Sequence, residues 1–175
     1  TRMFGRAVSN ITDIKEAVAT YTSRAAEKLR RQRSAAGHLS VFMVSKDEQP
    51  SDTYRRGTTV SSYVELPVAT SLSHELIKAA TTLVDQLYEP GLQYKKAGVT
   101  LGSLVPEASI QANLFEEPGS GANSKLMEMV DNINFSQRDD VLKFAASGLK
   151  RNWKMRQELR SARYTTRWKE LCHVR

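Results

Sequence analysis

Leu39-Ser40-Val41-Phe42-Met43-Val44-Ser45 and Gly57-Thr58-Thr59-Val60-Ser61-Ser62-Tyr63-Val64-Glu65-Leu66 are β-branched and aromatic runs parted by a polar loop containing Pro50. Runs of this kind, bounded by turn residues, read as strands, and Pro67 closes the second. A helical pattern flanks the pair on each side. Upstream, Thr12 or Asp13 can cap a helix, with Glu16 completing a capping box to Asp13. Ile14, Val18, Tyr21, Ala25 and Leu29 then recur at helical spacing, and Gly37 is expected to stop the helix. Downstream, Thr70 or Ser71 caps a second helix whose Leu76, Ala80, Leu83, Val84 and Leu87 face inward, until Pro90-Gly91 ends it. Outermost, residues 1–8 and 94–101 read as strands. The order is βαββαβ, the split-βαβ or ferredoxin-like arrangement of an α+β domain: a four-stranded sheet with both helices on one face. The other face is left free, and fold alone names no job.

Charge says more by region than in total. The 175 residues carry 26 Lys and Arg against 19 Asp and Glu, a net +7. Residues 1–105 hold 14 basic and 10 acidic side chains, residues 106–140 hold 2 and 7, and residues 141–175 hold 10 and 2. Two basic bodies joined by an acidic linker point to polyanion contact at both ends. The organisation expected is a domain over residues 1–105, a linker over 106–123 and a small, mostly helical basic tail over 124–175. The single Cys172 excludes an internal disulfide and fits a reducing cytoplasm. No apolar run approaches the roughly 18 residues of a membrane span, so no membrane partner is expected. Thr1, standing where an initiator Met would, is read as the start of a fragment of a longer protein.

The free sheet face is partly legible. Tyr54-Arg55-Arg56 delivers two guanidiniums to the start of the second run, and Gly57, Thr58, Thr59, Val60, Ser61 and Ser62 follow with a row of small hydroxyls. Arg2 and Arg6 are placed opposite Met3, and one of Lys95 and Lys96 is expected to face out with them. Such donors suit phosphate oxygens, which position a protein on nucleic acid without reading its sequence. The plain alternative is an ordinary solvated sheet. A rival reading is a free-standing RNA- or protein-binding adaptor, since RNA-recognition modules share the βαββαβ order. Those modules stack bases on rings in a Lys/Arg-Gly-Phe/Tyr-Gly/Ala-Phe strand. Here Arg56-Gly57 is followed by Thr58, Thr59 and Val60, with no ring before Tyr63, so no stacking platform is expected. The cluster Lys28, Arg30, Arg31 and Arg33 reads equally as a solvated helix end or as a nucleic-acid contact.

No catalytic or metal site is legible. The adjacent carboxylate pairs Asp47-Glu48, Glu116-Glu117 and Asp139-Asp140 fall in loops. His38, His74 and His173 are isolated, and Cys172-His173 lacks further zinc ligands. In the tail a helix is expected from Ser124, with Leu126, Val130 and Ile133 on one stripe. A basic, helix-compatible stretch follows from Lys150 to Arg160, in which Trp153, Met155 and Leu159 read as packing residues. The closing residues 163–175 are rich in aromatics and Arg, types enriched at interfaces.

Gln111-Ala112-Asn113-Leu114-Phe115 lies in the seam, between Pro106 and an acidic Gly-Ser stretch. Two large apolar residues there read as an anchor for another protein's pocket, with Gln111 fixing register, or as a patch folded back on their own domain. The pentapeptide resembles the Gln-Leu-(Ser/Asp/Asn)-Leu-Phe peptide that grips the bacterial sliding clamp. Gln111, Leu114 and Phe115 match, while Ala112 stands where a larger apolar residue is usual.

Further resemblances run along the chain. Arg2-Met3-Phe4-Gly5-Arg6, Ala25-Ala26-Glu27-Lys28-Leu29-Arg30 and Tyr94-Lys95-Lys96-Ala97-Gly98-Val99 resemble the little finger of Y-family, lesion-bypass DNA polymerases. Trp153-Lys154-Met155 and Arg163-Tyr164-Thr165-Thr166-Arg167-Trp168 resemble the C-terminal region of the UmuC/MucB-type catalytic subunits of DNA polymerase V. That resemblance implies a cytoplasmic bacterial protein of SOS repair. Its part here would bind duplex or primer–template DNA and the sliding clamp, and would dock a UmuD′-type dimer or a RecA filament through the tail. The parent polymerase would use Mg2+ in a palm; the fragment itself is expected to need no cofactor and to lack catalysis. Ser136-Gln137-Arg138-Asp139-Asp140 departs from the Gly-Arg-Gly-Thr-like stretch usual in such relatives, so no partner contact is carried over for it.

Overall fold

The computed structural model describes residues 1–46, 57–111, 121–137, 141–155 and 161–171. Its elements are β1 (Arg2–Val8), α1 (Ile11–Arg31), β2 (Ser34–Ser45), β3 (Thr59–Thr70), α2 (Ser73–Leu87), β4 (Tyr94–Pro106) and α3 (Gly121–Ser136). The first six follow the expected βαββαβ order. Their strands form one sheet in the order β1-β4-β2-β3, and each of the three pairings is antiparallel.

One face of the sheet carries the core. Leu39, Val41 and Met43 of β2 are fully buried and stand beside Leu101, Val99 and Ala97 of β4. Ile14, Ala17, Val18 and Leu29 of α1 close over them with Leu76, Ala80, Leu83 and Val84 of α2. Both helices therefore lie on one face, because each has a single apolar stripe to bury.

Local boundaries differ from the sequence reading where a residue in an unexpected place does the capping. Asn10 caps α1, its side chain accepting the Thr12 N–H at 2.9 Å, in place of Thr12 or Asp13. Helix α1 stops not at Gly37 but at Arg31, with Arg33 at a φ of 51° turning the chain directly into β2. Gly37 lies inside the strand. For α2 the N-cap is Leu72, whose own side chain makes no cap bond; the Thr70 hydroxyl accepts the Leu72 N–H instead. Strand β3 runs on through Pro67 to Thr70, which an edge strand permits because its outer N–H positions need no partner.

The tail packs on the outer side of α1. Arg30 grips Asp131 of α3 through Nε and Nη2, at 2.6 and 2.8 Å, across a sequence separation of 101 residues. Arg31 lies 5.1 Å from the centroid of the Phe135 ring. A 3-10 turn at Ala145–Ser147 continues along the helix, and Gly148, with a φ of 63°, meets the Glu16 carboxylate so closely that a Cβ there would collide with it. Trp153 then enters the core and its carbonyl accepts the Gly5 N–H at 3.0 Å. Trp153 is thus a packing residue. No helix is described over residues 150–155, the first part of the stretch expected from Lys150 to Arg160; residues 156–160 lie outside the described set.

Candidate nucleic-acid interface

Strand pleating assigns each residue to a face, and the ladder registers carry that assignment across the sheet. On the face away from the helices the rows run Met3, Lys96, Val44, Thr59; then Gly98, Phe42, Ser61; then Thr100, Ser40, Tyr63; then Gly102, His38, Glu65. Lys96 and Ser61 are therefore on the free face as expected, with the hydroxyls of Thr59, Thr100 and Ser40 around them. The Lys96 ammonium lies 5.6 Å from the Phe42 ring centroid. Lys95 falls where the register between β2 and β4 slips. Its Nζ is 3.3 Å from where a Gly57 Cβ would stand, at the start of β3. Thr58 is exposed and its carbonyl accepts the Ser45 N–H at 3.0 Å.

The structure corrects one placement. Arg2 pairs with Ala97, in the row of Met43 and Val60, so it belongs to the helix-covered side and not to the free face. Its charge is felt by Tyr21 of α1. The reason is parity: Met3, not Arg2, stands beside Lys96. Arg6 is exposed between the buried Phe4 and Val8, where the β1–β4 ladder is irregular. Arg55 and Arg56 lie outside the described residues, as do Leu114 and Phe115; Gln111, just after β4, is exposed.

The basic end of α1 is engaged within the chain. Besides Asp131, Arg30 donates to the Ser71 carbonyl at 2.7 Å and to the Ser73 hydroxyl at 2.9 Å. Arg31 pairs with Glu27 at 2.7 Å. Arg30 thus holds the tail and the start of α2, a role in neither reading of that cluster, whereas the Arg31 side chain is 55% exposed and leaves both readings open for it.

Sequence reasoning missed the rings. Phe42, His38 and Tyr63 all stand on the free face, contributed by β2 and β3. A Cβ at Gly98 would run into the Phe42 ring, and one at Gly102 would come within 3.3 Å of His38, so both rings lie over glycines of β4. Tyr63 stacks on His38 with centroids 5.2 Å apart and planes at 27°. Glu65 completes the group, 2.9 Å from His38 Nδ1. Counting alternate positions from Leu39 would have found Phe42 and His38; the search for a ring directly after Arg56-Gly57 overlooked them.

Among the described residues no three His, Cys, Asp or Glu side chains gather into a metal-binding group, and no described helix is long and apolar enough to cross a membrane. The carboxylate pairs Asp47-Glu48, Glu116-Glu117 and Asp139-Asp140, and Cys172-His173, lie outside the described residues.

Comparison with known proteins adds two matches along the chain. Residues 1–114 match the impB/mucB/samB family C-terminal domain, and residues 124–174 match a domain of unknown function, DUF4113. Protein UmuC of Salmonella typhimurium is 35% identical over 176 residues, covering 100% of this chain and 41% of the relative. Protein SamB of the same organism and Protein MucB of Escherichia coli are each 33% identical over 172 residues, 98% of this chain and 40% of the relative. The chain thus spans about two fifths of the length of the curated relatives it matches.

Proposed function

We propose, from the premise that this chain belongs to the impB/mucB/samB family through its C-terminal domain, that it is the DNA-gripping and partner-docking part of an error-prone lesion-bypass DNA polymerase. The observation that carries the reading is a sheet face free of both helices, with Lys96 and a field of small hydroxyls at one end, and Lys95 next to it in sequence where the β2–β4 register slips. Lysines and hydroxyls on a firm sheet are phosphate donors. They hold duplex backbone in register while leaving its sequence unread. Arg55 and Arg56, which precede β3 in sequence, are read as adding two further phosphate-binding charges. Polymerisation itself, with the Mg2+ ions held by palm carboxylates, belongs on this reading to the remaining length of such a polymerase. Supplied with primed template, nucleotides and Mg2+, the 175-residue chain is expected not to extend a primer.

Two docking roles complete the proposal. Gln111, Leu114 and Phe115 engage the bacterial sliding clamp as an extended peptide. The tail, whose helix α3 exposes Leu126, Met129 and Ile133, docks a UmuD′-type dimer or the RecA filament during SOS mutagenesis in the bacterial cytoplasm.

The rings on the free face favour a second reading, an RNA-binding adaptor built on the same sheet. One titration separates the two. Duplex or primer–template DNA should bind with little sequence preference, and log K against log salt should slope at roughly −3 to −4.5 if three to five phosphates are neutralised. Replacing Arg55 and Arg56 by Ala should flatten that slope by up to about 2 units. Tighter binding of single-stranded RNA than of any DNA would instead establish the adaptor.

A further inference from the structure

Phosphate donors account for one end of the free sheet face and leave the other end unexplained. From Phe42, 5.6 Å from the Lys96 ammonium, to His38 and Tyr63 further along, the face is aromatic, and its rings are arranged rather than scattered. Gly98 and Gly102 stand four residues apart on β4, on the same face, and each receives a ring from β2 where a side chain would have blocked it. Phe42 and His38 are thereby laid against the sheet. Tyr63 adds a second layer by stacking on His38, and remains 66% exposed. Glu65 holds the His38 ring from the far side through Nδ1. An exposed tyrosine normally keeps its rotamer freedom; this one is placed by the ring beneath it, so little ordering entropy remains for a ligand to supply.

From this arrangement we infer that Tyr63, seated on His38, is a stacking platform for an unpaired nucleotide of a DNA strand. The single-stranded overhang of a primer–template is then held at the aromatic end while its duplex lies at the lysine end. A duplex base pair has both faces covered by its neighbours and offers no ring face to Tyr63; an unpaired base does. Stacking of this kind tolerates any base and is strengthened by cations tracking the backbone, which Lys96 supplies beside Phe42. The platform deepens the DNA-binding reading above and rests on it.

The test compares three probes on the whole 175-residue chain: a blunt duplex, the same duplex with a 5′ template overhang carrying 2-aminopurine, and the overhang strand alone. The overhang should raise affinity over the blunt duplex, and 2-aminopurine fluorescence should be quenched on binding. Tyr63→Leu should lower affinity for the two overhang-containing probes by about 5- to 150-fold, the range for loss of one stacked base. The blunt duplex should be unaffected, and Tyr63→Phe should retain quenching. Lys96→Ala should weaken all three probes and reduce the salt slope by about 1. Equal binding of blunt and overhang duplexes, or an equal loss on all probes in Tyr63→Leu, would overturn the platform while leaving the DNA-binding reading standing. Failure to bind any DNA would overturn both.

Discussion

Trp153 stands edge-on against Tyr21 of α1, the ring centroids 5.7 Å apart and the planes at 85°. The indole is 4% exposed and belongs to the same core cluster as Ile14 and Val18, although 132 positions separate it from Tyr21 in sequence. The tail is therefore part of the domain's packing. Trp153→Ala should lower unfolding free energy by about 3–5 kcal/mol, the usual range for emptying a buried aromatic site. Denaturant titration of both proteins checks it. A loss below about 0.5 kcal/mol, as for a surface substitution, would show the indole to be outside the core.

Burial pushes the Tyr21 phenol up to about 12, with the Arg2 charge opposing the shift. Among the described residues the hydroxyl has no hydrogen-bond partner. In the unfolded chain the group ionises near its ordinary value of 10.0. Between those values the folded state holds a proton that the unfolded state has lost, so stability falls as pH rises through the window. Below pH 10 the contribution is fully present. Thermal melts from pH 9 to 12 should show a decline in wild type that is shallower in Tyr21→Phe. Superimposable profiles would place the phenol in water.

Arg30 and Asp131 should respond unequally to substitution. Asp131→Asn removes only the tail's half of the contact and should cost about 1.5–3 kcal/mol, as for a charge-assisted hydrogen bond. Arg30→Ala also strands Asp131 and deprives the Ser71 carbonyl and the Ser73 hydroxyl of their donor. Its cost should approach the 3–5 kcal/mol or so seen when one partner of a buried pair is removed. Paired denaturation curves settle the order, and Asp131→Asn being the worse variant would contradict it.

Leu114 and Phe115 are the test of the clamp proposal. Burying each in a partner's pocket is worth roughly 1.5–3 kcal/mol, part of which is offset by the side-chain freedom lost on binding, about 0.5–1.5 kcal/mol per side chain. Changing both to Ala should weaken clamp binding by on the order of a hundredfold, since about 1.4 kcal/mol is tenfold. Melting temperature and DNA affinity should be nearly unchanged, and Ala112→Leu should tighten the complex. A large fall in melting temperature with clamp binding intact would mean that the pair belongs to the chain's own core.

The element order of residues 1–106 and the apolar stripes of α1 and α2 were legible in the sequence, because helical and strand periodicity are local properties. Ile14, Val18, Leu29, Leu76, Ala80, Leu83 and Val84 all face the core as their spacing requires. Nonlocal relations were not legible. Strand order, the register that puts Met3 rather than Arg2 beside Lys96, and the seating of Phe42 and His38 on Gly98 and Gly102 each depend on which chain segments become neighbours. A one-residue change of register exchanges the two faces, so composition alone cannot say which ring or charge meets solvent. The same limit hid the fate of Arg30. In sequence it is one of four cations at a helix end, open to solvent or to a phosphate. In the folded chain it is held by Asp131 from 101 residues away, because closing the tail over α1 brings a carboxylate to a guanidinium that is already anchored on α2.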